Sequence, residues 1–373
     1  MAANTGAPMP SKSDLPIMER HTQSLSPSCS QCAEGRKLVL FVTGVCDTGC
    51  FYCPLSETRN QQPVMFANER AVLGRTNAEL AAQVIEEGRA IGAAGAGVTG
   101  GDPMMVPELT VAMIRALKAE FGPRFDIHLY TSKTPDATLL GKLKDAGLNE
   151  IRFHPHEKHW MQMPGSEFER TMRQARSAGL RIAFEVPAIP GTEAGIHRLL
   201  DFAAQLPVDF VNLNEFEYTH TNGEEMRRRA FSVAGDGSAS IAGSRDMALQ
   251  LVQEYGKRVP MHYCSSRFKD AVQLGNRLRR RAERTARTLD ILTQEGLLIH
   301  GLIETRDPDG ASRRIAREFE VPGELMAANA AKSRLEIAAW VLEEIAPKLR
   351  EKCFIVERYP TSDGLEVERT PLN

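Results

Sequence analysis

Val42-Thr-Gly-Val-Cys46-Asp-Thr-Gly-Cys50-Phe-Tyr-Cys53-Pro54 sets three cysteines at C-x3-C-x2-C spacing, directly after an apolar, β-branched run, Leu38 to Thr43, that reads as a strand. Three thiolates on one compact loop suit three corners of a cubane iron-sulfur cluster and leave one iron open to an outside ligand. Structural zinc usually takes four protein ligands, so three cysteines alone fit it poorly. Gly44 and Gly49 let the backbone wrap closely around such a group, with amides turned toward the sulfurs.

Downstream of this loop, short apolar runs alternate with amphipathic segments. Strands are expected at Gly95 to Thr99, Asp126 to Tyr130, Glu150 to Phe153, Arg181 to Val186 and Asp209 to Leu213, with Pro260 to Tyr263 as a seventh. Between them, Leu80/Val84/Ile85/Ile91, Leu109/Met113/Leu117, Leu139/Leu143 and Phe168/Met172/Ala175 recur at helical spacing. Six βα units of this kind form an α/β fold around a parallel sheet, either a partial barrel or an open doubly wound sheet. Periodicity does not separate the two.

One βα unit after the cysteines, Val98-Thr-Gly100-Gly101-Asp102-Pro103 closes the second strand. Paired glycines let a backbone turn approach a ligand. With both stretches in hand, the sequence resembles the radical SAM superfamily, whose signature is this cysteine spacing with an aromatic residue before the last cysteine, here Tyr52. The resemblance runs over roughly Lys37 to Leu213 and looks like the branch of the pyruvate formate-lyase activating enzyme, with its uncharacterised archaeal members.

That resemblance implies a partial (β/α)6 radical SAM barrel. It implies a 4Fe-4S cluster on Cys46, Cys50 and Cys53, and S-adenosylmethionine (SAM) chelated at the open iron and cleaved to a 5'-deoxyadenosyl radical that abstracts hydrogen from a substrate. An electron donor such as flavodoxin or ferredoxin is implied as partner. Gly100, Gly101 and Asp102 match a GGE-type turn that receives the methionyl amine, with Asp where Glu is commoner. Arg152, His154 and His156 fall where the family often contacts the ribose, Ile189 lies in an element resembling GxIxGxxE, and Asn212, Asn214 and Glu215 fall near the adenine.

Of the seven cysteines in 373 residues, five crowd between Cys29 and Cys53, a clustering that favours metal ligation over disulfides. Cys29 and Cys32 form C-x2-C before the first strand, and Cys264 follows the last core strand. If the barrel joins these ends, the three cysteines with His262 or another group form a candidate second site for zinc or another iron-sulfur cluster, with a redox pair and unconnected thiols as the other readings. Cys353 reads as a buried core thiol. His154, His156 and His159 form H-x-H-x2-H, better suited to lining a cavity than to a metal trio. Arg152 suits either a ligand carboxylate or an ordinary ion pair.

A formal net charge of -2 argues against a protein that coats nucleic acid over its whole surface. A helix from Arg267 to about Arg287 nonetheless carries Arg277, Arg280, Arg281, Arg284 and Arg287 away from its apolar stripe. It reads as a solvated face paired with acidic residues, with RNA as the alternative partner. Residues 1–28 read as a flexible leader, 29–265 as the barrel with its CxxC extension, 266–288 as the basic helix, and 289–373 as a small α+β domain. In that last domain, strands at Leu298 to Glu304, Phe354 to Arg358 and Leu365 to Arg369 surround a long helix containing Leu335, Trp340, Val341 and Ile345. No apolar run approaches the roughly 20 residues that span a bilayer, and the first residues lack a signal-peptide core, so a cytoplasmic protein is expected. The substrate stays open between a protein, an RNA and a small metabolite, and a non-catalytic iron-sulfur protein is the reading from another class.

Overall fold

The computed structural model describes residues 19–23 and 25–373. The larger unit runs β1 (Glu19–His21), α1 (Pro27–Ala33), β2 (Lys37–Phe41), β3 (Met65–Ala67), β4 (Arg70–Val72), α2 (Asn77–Ile91), β5 (Gly95–Thr99), α3 (Pro107–Phe121), β6 (Asp126–Thr131) and α4 (Ala137–Ala146). It continues through β7 (Glu150–Phe153), α5 (Glu167–Ser177), β8 (Arg181–Ala188), α6 (Glu193–Gln205), β9 (Phe210–Glu215), α7 (Gly223–Arg228), α8 (Ser244–Tyr255), β10 (Met261–Cys264) and α9 (Gly275–Thr285). Its sheet has the order β1-β10-β9-β8-β7-β6-β5-β2-β3-β4. From β2 through β5, β6, β7, β8 and β9 to β10, every neighbouring pair is parallel. The six expected core strands and the seventh thus join one sheet.

Alternation along the strands sorts its two faces. Ile127, Leu129, Ile151 and Phe153 are fully buried in the main hydrophobic core, while His128 and Arg152, between them in sequence, turn inward to Ser28 and Ser26 at α1. Inside, Ser28 Oγ donates to Asp126 Oδ2 of β6 at 2.7 Å, and Cys29 packs with Ala183 of β8 and Phe210 of β9. A short helix that meets both β6 and β9 requires a sheet curled around it, so the partial barrel, not the flat doubly wound sheet, is formed.

Part of the stretch expected as leader has regular structure. Glu19–His21 pairs antiparallel with β10, and Pro27–Ala33 is a helix whose cap Ser26 accepts from Cys29 N–H at 3.2 Å. The physical reason is the bare edge that β10 would otherwise present. Residues 1–18 of the expected leader lie outside the described residues.

The basic helix is paired with acidic residues as expected, but its face is covered rather than solvated. A π-helical turn, Phe268–Leu274, precedes α9, and the arginines are taken up by protein. Arg280 Nε and Arg284 Nε each donate at 3.1 Å to carbonyls of the last turn of α2, Ile91 O and Arg89 O. Arg277 pairs with Glu69, Arg281 with Glu87, and Arg287 with Asp290 and Glu336. The face is covered because α9 lies against α2 and against the smaller domain, and cations at a helix C-terminus complement its carbonyls.

That smaller domain comprises β11 (Ile291–Leu292), β12 (Leu298–Glu304), α10 (Pro308–Phe319), β13 (Met326–Asn329), β14 (Arg334–Ile337), α11 (Ala339–Ile345), β15 (Cys353–Arg358) and β16 (Glu366–Pro371). Its antiparallel sheet has the order β13-β14-β12-β15-β16, with β11 on β12. Leu335, expected on the long helix, lies on β14. Leu335 and Ile337 enter the core while Arg334 and Glu336 pair at 2.6 Å, a period of two that belongs to a strand. Cys353 is fully buried, as expected.

Candidate active site

The cysteine loop leaves β2 at the C-terminal ends of the parallel strands. Gly44 N–H donates to Gln62 O at 2.8 Å, and a Cβ on Gly44 would stand 1.6 Å from Arg59 O. On the other side, Gly101 N–H donates to Thr43 O at 2.7 Å and Asp102 N–H to Val45 O at 3.0 Å. A Cβ on Gly100 or Gly101 would stand 2.4 Å from Thr43 O or Val45 O. The two sequence motifs are therefore sewn together by backbone, at a spacing that only glycine permits.

Cys46, Cys50 and Cys53 line one cavity of about 530 Å³ together with Gly100, Gly101 and Asp102. Its wall continues over Thr131 and Ser132 to His154, and its depth holds Tyr130, Glu185 and Asn214. Three part-buried thiols on one wall, with a glycine turn beside them and polar strand ends opposite, fit a site-differentiated cluster that keeps one corner for an outside ligand. Burial pushes the Cys50 thiol up to about 11 and raises Cys53 as well. Metal binding would have to displace those protons.

Asp102 is 1% exposed and its carboxylate is saturated. It accepts from Met104 N–H at 2.9 Å, Thr131 Oγ1 at 2.9 Å, Ser132 N–H at 2.7 Å and Ser132 Oγ at 2.7 Å. Four donors fill the about four lone-pair positions of a carboxylate. As the chain stands, Asp102 binds the end of β6 to the glycine turn, and it receives an amine only if one of those donors withdraws. Ser132 Oγ in turn lies 2.5 Å from Thr48 Oγ1 beside Cys46, which links this carboxylate to the cysteine loop.

Two of the three comparisons with known proteins carry the identification. Residues 40–203 match the family described as "Radical SAM superfamily", and residues 296–372 match a "Domain of unknown function (DUF8061)". A protein of Methanocaldococcus jannaschii, whose name assigns it provisionally as a glycyl-radical enzyme activating enzyme, is 35% identical over 95% of this chain and 95% of its own. The chain belongs to the radical SAM superfamily. Among solved structures, SuiB of Streptococcus suis bound to S-adenosylmethionine aligns at 11% identity over 62% of this chain and 50% of that one, with a TM-score of 0.43. Methylornithine synthase (PylB) aligns at 14% over 61% and 68%, with a TM-score of 0.41.

The other expected residues of this radical SAM enzyme divide between the cavity and the scaffold. Tyr52, 8% exposed, meets His154 Nε2 through its hydroxyl at 3.1 Å. His154 Nδ1 lies 2.6 Å from the carbonyl of Glu185, so Nδ1 donates and Nε2 accepts from Tyr52. Burial lowers the pKa of His154 and keeps it neutral. Asn214 and Glu215 line the cavity, but Asn212 sits one layer below. Ile189 is fully buried and does not line the cavity, because the turn after β8 folds it into the core. His156 pairs with Glu157 at 2.7 Å and caps a 3-10 turn away from the cavity, and His159 also lies outside it.

Arg152 is an internal ion pair, not a ligand for a SAM carboxylate. It is 2% exposed and meets Glu150 at 2.5 Å and Glu185 at 2.9 Å. Cys29 lies against its guanidinium at 3.7 Å. Cys29 and Cys264 are both buried, yet among the described residues no group of three His, Cys, Asp or Glu side chains that could hold a metal ion is formed. Sequence reasoning missed Thr131, Ser132, Tyr130, Glu185 and Lys269. The signal available for the first four was their place on or just past the C-terminal halves of parallel strands, where ligands of such sheets bind, whereas Lys269 comes from the π-helical turn after β10.

Proposed function

We propose that this radical SAM enzyme carries a 4Fe-4S cluster on Cys46, Cys50 and Cys53, binds SAM in the adjoining cavity, and acts as an activating enzyme on a glycine of a partner protein. When bound, the cluster supplies one electron, delivered by a flavodoxin or ferredoxin, that splits SAM into methionine and a 5'-deoxyadenosyl radical, which takes a hydrogen atom from substrate. The observation that carries the reading is the union of the three-cysteine loop with the glycine turn through Thr43 and Val45 on one cavity wall. The partner follows from the name of the 35% identical relative.

The chain's own residues position the reactants. Gly100 and Gly101 give the methionyl end of SAM access to backbone, and Asp102 fixes that turn. Tyr52 and neutral His154 form a wall without charge beside the sulfurs, which favours a neutral radical over ionic side reactions. Tyr130, Glu185 and Asn214 line the depth available to substrate. RNA is disfavoured as substrate, since Arg277 and Arg281 of α9 and Arg287 just after it are engaged by Glu69, Glu87, Asp290 and Glu336. The test is anaerobic: reconstituted, reduced enzyme with SAM and a candidate partner protein deuterated at glycine Cα. Deuterium in 5'-deoxyadenosine with a glycyl EPR doublet is expected. Cleavage without deuterium transfer refutes the glycine reading, and no cleavage refutes the activity.

A further inference from the structure

Glu217, two residues past β9, and Lys269, on the π-helical turn after β10, line the cavity from the end of the parallel run opposite to β2, the strand that carries the cysteine loop. Lys269 Nζ donates to Glu217 Oε1 at 2.6 Å, and the two side chains stay 34% and 25% exposed. Among the described residues, Lys269 is the one cation on the lining. Burial alone would lower its pKa, but Glu217 beside it outweighs that and raises it, so the amine is charged.

The pair has hydrogen-bonding capacity to spare where its neighbours have little. Glu185 accepts from the Nδ2 groups of Asn212 and Asn214 at 2.6 and 2.7 Å and from Arg152 Nη1 at 2.9 Å. Glu215 accepts from the Tyr263 hydroxyl at 2.8 Å and from Ser266 N–H and Oγ at 3.0 and 3.2 Å. With Asp102, these carboxylates are occupied from within the fold. An ammonium has three hydrogens, so after the one shared bond Lys269 keeps two N–H groups and Glu217 keeps Oε2 for a guest. Their mounting is fixed beforehand: Ser266 ties the start of the turn to Glu215, while Phe268 N–H donates to Ser265 Oγ and Lys269 N–H to Ser265 O, each at 3.1 Å. Such π-helical turns are rare and recur at functional sites.

Glycine offers no side chain to a binding site, so a segment that presents one for hydrogen removal is held there by its peptide groups. A donor and an acceptor side by side match the C=O and N–H of such a segment. The pair is neutral overall and stands on one lining with Glu185, Glu215 and Asp102, so it does not draw in an anion. We propose that Lys269 and Glu217 clamp the main chain of the partner's glycine-bearing segment, the ammonium donating to a peptide carbonyl and the carboxylate accepting a peptide N–H. This rests on the reading of the chain as an activating enzyme.

Equilibrium binding to the full chain, reconstituted with its cluster and SAM, tests this. The probes are the capped pentapeptide Ac-Ala-Ala-Gly-Ala-Ala-NH2, deuterated at glycine Cα, and analogues N-methylated at the glycine or at the alanine after it. Wild type should bind the parent peptide, and one methylated analogue at least about tenfold more weakly. In Glu217→Ala that analogue and the parent should bind alike, whereas Glu217→Gln, which keeps an acceptor oxygen, should keep the discrimination. Should Glu217→Ala fail to fold, Lys269→Met supplies the second measurement: with circular dichroism and iron content unchanged, it should bind the parent about tenfold more weakly than wild type. No binding of the parent, discrimination that survives Glu217→Ala, wild-type binding in Lys269→Met, or free glycine preferred to the capped peptide would each overturn the proposal. Deuterium in 5'-deoxyadenosine reports on the glycine reading separately. Binding that follows Lys269 and Glu217 without deuterium transfer upholds the clamp and refutes that reading, and transfer that ignores both residues does the opposite.

Discussion

At the mouth of the barrel, Cys46, Cys50 and Cys53 are part-buried, come from one loop, and are held by backbone hydrogen bonds to a glycine turn. At the floor, Cys29 is buried on α1, is met by strand residues far away in the chain, and sits among charges: Arg152 with Glu150 and Glu185, Lys37 with Asp126, and Arg181 with both Asp126 and Glu150. The mouth has local order and an open side, which suits a group that must admit a ligand. The floor has long-range order and no open side, which suits a scaffold. One fold thus spends its thiols in two ways, and the difference lies in who the neighbours are.

Substitutions at the two ends should separate these roles. The largest effect on activity is expected from Cys50→Ala, which should reduce 5'-deoxyadenosine formation to background while the unfolding free energy of the cluster-free protein changes by no more than about 0.5 kcal/mol, as for a part-buried residue at the edge of the core. Iron content and chemical unfolding measured on the same sample check both halves. Arg152→Met should do the reverse. It strips a cation from the buried Glu150 and the half-buried Glu185 and should cost about 3–5 kcal/mol of stability in urea unfolding, while protein kept below its midpoint still assembles a cluster.

Smaller effects should come from the residues between. Asp102→Asn exchanges an acceptor oxygen for an N–H facing N–H and O–H donors, so SAM affinity should fall about tenfold, read by equilibrium binding to reconstituted enzyme, with cluster content unchanged. Acid should reach the floor before it reaches the mouth loop. Burial alone would raise Asp126 and Glu150, but Lys37 over Asp126 and Arg152 over Glu150 outweigh it and hold both below their ordinary 3.8 and 4.5. Groups depressed on folding stabilise above those ordinary values and lose that contribution as pH falls through the folded ones. Circular dichroism against pH should therefore show unfolding beginning below about pH 4.5, and Lys37→Met should move it to higher pH.

The mouth was legible because its information is contiguous: the cysteine spacing and Gly100-Gly101 each fit within a few residues, and strand order placed them side by side. Tyr52 and His154 followed from the resemblance. Ile189 did not, since whether a residue after β8 turns to the cavity or to the core is decided by packing. The floor was legible only as a grouping of Cys29, Cys32 and Cys264 with His262 or another group beside them; Arg152 and Asn212 come to it through strand register that no local period encodes. The arginines of α9 were read as a solvent face because periodicity reports an apolar stripe but not a second layer, here α2 and the antiparallel domain. Leu335 was drawn into a helix by apolar spacing that Arg334 and Glu336 contradict.

The most direct measurement is the EPR spectrum of the reconstituted, reduced wild-type protein before and after SAM is added, with the products counted in the same tube. A cubane signal that changes on addition, with 5'-deoxyadenosine and methionine formed in equal amounts, is the expected result. A protein that takes up no cubane on Cys46, Cys50 and Cys53, or whose signal is indifferent to SAM, would contradict the assignment of the mouth.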